Sequence, residues 1–180
     1  MKQILVFILC YLLQAGIAQA EGWYTQDGEV VPNSDSIKSI AGFGAWLVVT
    51  PDKDWEEKWD TPPETTPYFT EASEVSYGDY LTILTFFINP ALNEQGEVKL
   101  LCDIKVTRPD GTFSIDMDGI ECASGVLKGN PRNVRLTSIV LKYIAEKDDL
   151  LGKWGVDVTV RDSNRRVDIP LKTHFVLKNG

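Results

Sequence analysis

The sequence predicts an all-β chain: an antiparallel two-sheet sandwich of about seven strands, with a long loop inserted after the first core strand. Three observations carry this. Apolar residues recur with a period of two over most of the chain. Turn-forming clusters, notably Arg108-Pro109-Asp110-Gly111 and Asp162-Ser163-Asn164, separate those runs. No internal repeat and no helical period of useful length is present, which leaves sheet-on-sheet packing as the way to bury the alternating faces.

Residues 1–20 read as an address rather than as structure. Met1-Lys2-Gln3 is a short basic start, and Ile4 to Leu13 is an unbroken run of ten apolar residues. Ala18-Gln19-Ala20 then forms an A-x-A cleavage site before Glu21. Ten helical residues rise only about 15 Å, half of a bilayer's hydrocarbon core, so the run is a signal peptide and not a span. Cys10 follows Leu9, where a lipoprotein signal needs a small residue. The sequence has no N-x-[ST] sequon, in keeping with a bacterial secreted or periplasmic protein. Cys102 and Cys122 remain after cleavage, and an even pair in an oxidising compartment predicts one disulfide.

The strands follow in order. Residues 21–41 are polar and form a lead-in strap; 42–180 form the sandwich domain. Gly42 to Thr50 holds the first core strand. Tyr80 to Ile88 (YLTILTFFI) is β-branched and aromatic on both faces, as a central strand requires. Glu97 to Thr107 alternates, with Val98, Leu100, Cys102, Ile104 and Val106 inward. Thr112 to Met117 returns as its hairpin partner across the Pro-Asp-Gly turn. Val134 to Ile144 reads as one long strand. Gly152 to Arg161 points Trp154, Val156, Val158 and Val160 into the core. In the last strand, Val167, Ile169, Leu171, Thr173, Phe175 and Leu177 face inward, and Pro170 requires an edge or a bulge.

The segment from Glu146 to Trp154 (EKDDLLGKW), followed by V-x-V-x-V, resembles the corner before the penultimate strand of immunoglobulin-like domains. Those domains show an acidic residue, a glycine and an aromatic entering an alternating strand. The resemblance implies an immunoglobulin-like sandwich and no particular function. Cys102 and Cys122 do not have the inter-sheet spacing of antibody domains.

Residues 51–79 break the strand pattern with four prolines, nine carboxylates and two lysines. Asp54 is placed to cap a short helical turn that puts Trp55 and Trp59 on one side, and Thr61-Pro62-Pro63 ends it. An insertion this long in a compact domain is commonly functional. Its aromatics either fold back on a sheet face or meet a partner. The candidate binding residues are Trp55, Trp59, Glu56, Glu57, Asp60 and Tyr68, an aromatic spot framed by carboxylates.

Other chemistry is thinly represented. With Lys plus Arg at 18 and Asp plus Glu at 26, the net charge is −8, which opposes general nucleic-acid binding. His174 is the sole histidine and falls on the outward side of the last strand, and no G-x-S-x-G elbow is present. Asp116, Asp118 and Glu121 faintly imitate a calcium loop without its full spacing. Arg132, Arg135, Arg161, Arg165 and Arg166 concentrate positive charge in the C-terminal half. No cofactor and no metal is expected. The resulting expectation is a secreted or periplasmic, non-catalytic module that binds a protein or glycan partner through the acidic, aromatic loop. The competing readings are a self-assembling envelope component pairing through sheet edges near Pro170, and a small carboxylate-based hydrolase.

Overall fold

The computed structural model describes residues 22–25, 27–62 and 67–179. The expected signal peptide, its expected cleavage site and Cys10 lie outside these residues. Two five-stranded sheets pack face to face. In sheet I, β1 (Ile37–Ile40), β2 (Phe43–Thr50) and β4 (Tyr80–Ile88) are neighbours in that order. The far edge of β4 is shared by β7 (Arg135–Leu136) and β8 (Leu141–Ile144). Sheet II runs β3 (Glu74–Ser76), β10 (Val167–Lys178), β9 (Gly152–Asp162), β5 (Glu97–Thr107) and β6 (Phe113–Val126). Every pairing is antiparallel except β3 with β10. This is the two-sheet β-sandwich expected from the patterning, carried among the described residues by ten strands instead of about seven.

The alternation of each strand explains where it sits. β5, β9 and β10 send Val98, Leu100, Cys102, Ile104, Val106, Trp154, Val156, Val158, Val160, Ile169, Leu171, Phe175 and Leu177 into the inter-sheet core. β4 is buried on both faces. Leu81, Ile83 and Phe87 join that core, while Leu84, Phe86 and Ile88 form a second cluster on the outside of sheet I. A strand apolar on both faces needs both faces covered, so sheet I must carry a lid. The strap and the insertion supply it.

The corner that resembles immunoglobulin domains is built around Trp154. Its ring stacks on Phe175 (6.1 Å, 9°) and lies 4.9 Å from Tyr143, and its Nε1 donates to the Leu150 carbonyl at 3.0 Å. Tyr143 donates to the Asp149 carboxylate at 2.9 Å; burial first, and then this anionic acceptor, push its phenol well above the ordinary value. Gly152 adopts φ +123°, a conformation that favours glycine, and packs beside Pro109 of the β5–β6 turn.

Two details differ from the sequence expectation, and a third, at Pro170, agrees with it locally. The run 134–144 is broken: Thr137 N–H still bonds the Thr85 carbonyl of β4 at 2.9 Å, but the next residue turns to sheet II. Ser138 donates its N–H and its hydroxyl to the Cys122 carbonyl, at 2.8 and 3.2 Å. That carbonyl is free because β6 is irregular there: Leu100 opposes Ala123 while Leu101 opposes Glu121, leaving Cys122 as the extra residue. β6 also runs well past Met117, since its bulges let a 14-residue strand stay on β5. Pro170 lies within a strand that is internal at its far end, where β3 covers Val176 to Lys178. At Pro170 itself the strand is an edge, and two residues on Lys172 N–H points outward to the Asp35 carbonyl at 2.8 Å.

Cys102 and Cys122 form the predicted disulfide, with a Cα separation of 5.8 Å, linking β5 to β6 within one sheet. Both are buried. Closing a loop of this length is worth about 3 kcal/mol in the chain-entropy account. Reduction, or the pair Cys102→Ala and Cys122→Ala, is expected to lower the urea midpoint accordingly; an unchanged midpoint would remove the disulfide from the stability account.

Candidate functional site

The insertion is held to sheet I by rings. α1 (Trp55–Trp59) places both tryptophans toward the sheet, half-buried against the outer cluster. Phe86 is the common support. Trp59 lies 5.2 Å from it, Phe69 stacks on it at 5.3 Å, and Trp46 lies at 5.4 Å. Trp23 of the strap continues the row against Trp46 at 6.1 Å. Gly44 permits that approach: a Cβ there would stand 2.8 Å from Trp23 Nε1 and 2.7 Å from Ile88 Cγ1. The loop therefore completes a second core, and its tryptophan faces are largely spent on packing.

A polar staple closes the base of the loop. Asp52 accepts Lys58 Nζ at 2.7 Å and Thr70 N–H at 2.9 Å, joining the two ends of the insertion. Asp54 sits at the N-cap position but makes no side-chain cap hydrogen bond, contrary to expectation. Its carboxylate turns to Lys58 at 3.4 Å instead, where a full cation competes with a backbone N–H. Burial alone would raise the Asp52 carboxyl, but the Lys58 and Thr70 hydrogen bonds outweigh it and hold it below the ordinary 3.8. A carboxyl lowered on folding stabilises above its unfolded value, and that contribution is lost as pH falls through the folded one. Loop anchoring should accordingly weaken below pH 3.8. Asp52→Asn should flatten the acid dependence of tryptophan fluorescence in that window, and an identical acid profile in the variant would contradict the staple.

The sequence-predicted set is thus divided. Trp55 and Trp59 face the sheet, whereas Glu56, Glu57 and Asp60 are exposed on the solvent side of α1. Tyr68 is 83% exposed, next to Phe69 at 3%. Phe69 and Trp59 share Phe86 beneath them, and their chain neighbours Tyr68 and Asp60 are exposed on the lid. The two lysines of the insertion do not neutralise that surface. Lys58 is committed to Asp52 and Asp54, and Lys53 lies over the Tyr80 ring at 5.7 Å. Among the described residues, no cation comes within 4 Å of Glu56, Glu57 or Asp60. Phe69, Phe86 and Asp52, which position this surface, were not among the predicted site residues. The both-faces apolar pattern of β4 was the available signal for Phe86.

The other candidate groups lie elsewhere. His174 is exposed on the outer face of sheet II, opposite Gly155 of β9. It lines a shallow hollow of about 540 Å³ with Ser34, Ser36, Asp157 and two lysines. No hydrogen bond joins it to either serine among the described residues. Asp116 and Asp118 face Lys105 at 3.1 and 3.9 Å, and Glu121 accepts the Ser124 hydroxyl at 2.6 Å. Among the described residues no group of three or more His, Cys, Asp or Glu is arranged to hold a metal ion. No described helix is long and apolar enough to cross a membrane.

No protein-family model matches the sequence, and no curated protein matches it either. Solved structures of similar outline include the following two. One is a family 123 glycoside hydrolase from Clostridium perfringens, described for glycolipid glycan hydrolysis (TM-score 0.41, 8% identity, 76% of this chain). This chain spans 28% of that hydrolase. The other is a Niemann-Pick type C2 protein from the Japanese carpenter ant (TM-score 0.34, 8% identity, 79% of this chain and 92% of that one). At these values neither carries an argument about what this chain binds.

Proposed function

We propose that the chain is a secreted or periplasmic, non-catalytic binding module whose recognition surface is the lid on sheet I. Tyr68, Glu56, Glu57 and Asp60 make the contacts; Trp55, Trp59 and Phe69 hold the surface in place. The observation that carries this reading is the exposure of Tyr68 on a lid that also presents Glu56, Glu57 and Asp60 without a basic partner among the described residues, on a loop whose base is stapled by Asp52. A large exposed aromatic on a pre-organised segment is a favourable anchor, and surrounding charge selects the partner and speeds encounter. The surface fits a basic polypeptide better than a sugar, because Trp59 lies against Phe86 and Trp55 packs on the same outer cluster, so neither ring is freely presented for stacking on a sugar.

The test is an array of Lys/Arg-rich, neutral and acidic peptides beside a glycan array, probed with wild type and Tyr68→Ala. Wild type should bind the basic peptides, with salt-sensitive affinity, and Tyr68→Ala should lose about tenfold or more while keeping its thermal midpoint. Equal binding by the variant, or binding confined to glycans, would reject the surface as described.

A further inference from the structure

An arginine on the core-facing side of sheet I marks a second site, beyond the lid. β4 alternates strictly, with Phe87 toward the inter-sheet core and Phe86 toward the lid. β7 inherits that alternation: Leu136 opposes Phe86 and joins the outer cluster, whereas Arg135 opposes Phe87 and faces the gap between the sheets. This is the open flank of the sandwich, where β6 is the last strand of sheet II and β7 lies at the edge of sheet I.

The flank holds a groove of about 670 Å³. Phe87, Val98, Cys122 and Leu127 give it an apolar floor, and Arg135 and Lys128 stand at its rim. The strut from Ser138 to the Cys122 carbonyl bounds it on one side. Its size falls in the range of small-molecule sites, about 300–1,000 Å³.

Charge specifies the occupant. Among the described residues no carboxylate comes within 4 Å of Arg135 or Lys128, in a chain of net charge −8. Glu121, the acidic residue of the lining, is occupied by Ser124. Among the described residues Arg135 is held by backbone carbonyls alone: its Nη2 donates to Lys128 and, at 3.4 Å, to Asn130. Its Nε is buried with no hydrogen-bond partner among the described residues. The guanidinium is thus oriented without being neutralised, a geometry that suits a planar or tetrahedral oxyanion. We infer that this groove binds a small amphiphile, its apolar body on the Phe87–Val98–Leu127 floor and its single anionic group at Arg135 and Lys128.

The test titrates the purified protein with decanoate, decyl phosphate, decanol and acetate, below micellar concentrations, following amide signals by heteronuclear NMR. One or both anionic decyl probes should bind saturably and shift Phe87, Val98 and Leu127. Decanol and acetate should bind about tenfold more weakly or worse. Whichever of decanoate and decyl phosphate binds more tightly identifies the anionic group. Arg135→Gln should erase the preference for anion over alcohol. Lys128→Gln, at an exposed position, should reduce it and covers the case in which the Arg135 variant does not fold. Absence of saturable binding by both anionic probes, equal binding of decanol, or an unchanged preference in the folded variants would overturn the inference.

Discussion

Phe86→Ala should be among the most damaging single substitutions in the molecule, and it should abolish binding at a surface that Phe86 does not reach. The side chain is 1% exposed and supports Trp46, Trp59 and Phe69 at ring distances of 5.2–5.4 Å. Truncation of such a ring costs about 3–5 kcal/mol, from lost transfer energy and the cavity left behind. Here the vacated space also removes the seat of α1 and of the 67–70 segment. Tryptophan emission should shift to the red as Trp59 becomes wetter, and partner affinity should fall with it. Phe86→Leu, which keeps much of the volume, should lose far less of both. Unaltered emission and affinity in a folded Phe86→Ala protein would show that the lid stands without this ring.

Asp162→Ala should be comparably severe, for an electrostatic reason. Asp162 is fully buried at the β9–β10 turn, where its carboxylate accepts N–H groups from Ala91 (2.7 Å), Asn164 (3.1 Å) and Arg165 (3.0 Å). Arg165 Nε lies 3.6 Å away, and the same guanidinium donates to the carbonyls of Ala41 and Asn89. One carboxylate thereby fastens the last hairpin to the β4–β5 loop and, through Arg165, to the β1–β2 turn. Removing it strands buried N–H groups and an arginine together, at a cost of about 3–5 kcal/mol. For a chain of this size that corresponds to roughly 10 °C in Tm. Asp162→Asn keeps an acceptor oxygen and should lose clearly less. Equal losses for the two variants would point to packing, and not to the hydrogen-bond hub, as the source of the effect.

These two residues also show where the sequence was legible. A continuous β-branched and aromatic run located Tyr80–Ile88 to the residue and period-two alternation located Glu97–Thr107 likewise, with β2, β9 and β10 placed to within a residue or so, because each strand has at least one largely buried face. The double-sided character of β4 predicted a central strand, and its meaning extended further, to a lid over the second face. The break at 137–140 was hidden because Thr137, Ser138, Ile139 and Val140 are ordinary strand residues; a bulge carbonyl on another strand draws the chain away. β3 pairs with the end of β10 from inside the insertion, and three residues give no period to read. The Asp162 hub was visible only as a turn, since its partners lie up to about 120 residues away through Arg165.

The candidate site was half legible. Spacing placed Trp55 and Trp59 on one side of a short helix, and the structure keeps them together. Which side faces the protein depends on Phe69 and Phe86, distant in sequence from the helix, so composition alone could not separate packed rings from presented ones. Tyr68 and the three carboxylates are what the lid leaves outside.

The most direct measurement puts a photo-cross-linker on that surface. The protein would carry p-benzoylphenylalanine in place of Tyr68 or, as a control, in place of His174 on the outer face of sheet II, and would be irradiated with the basic peptide best bound on the array. The account predicts an adduct from position 68 alone, suppressed by Glu56→Gln, Glu57→Gln and Asp60→Asn in combination. Adducts of equal yield from both positions, or from position 174 alone, would contradict it.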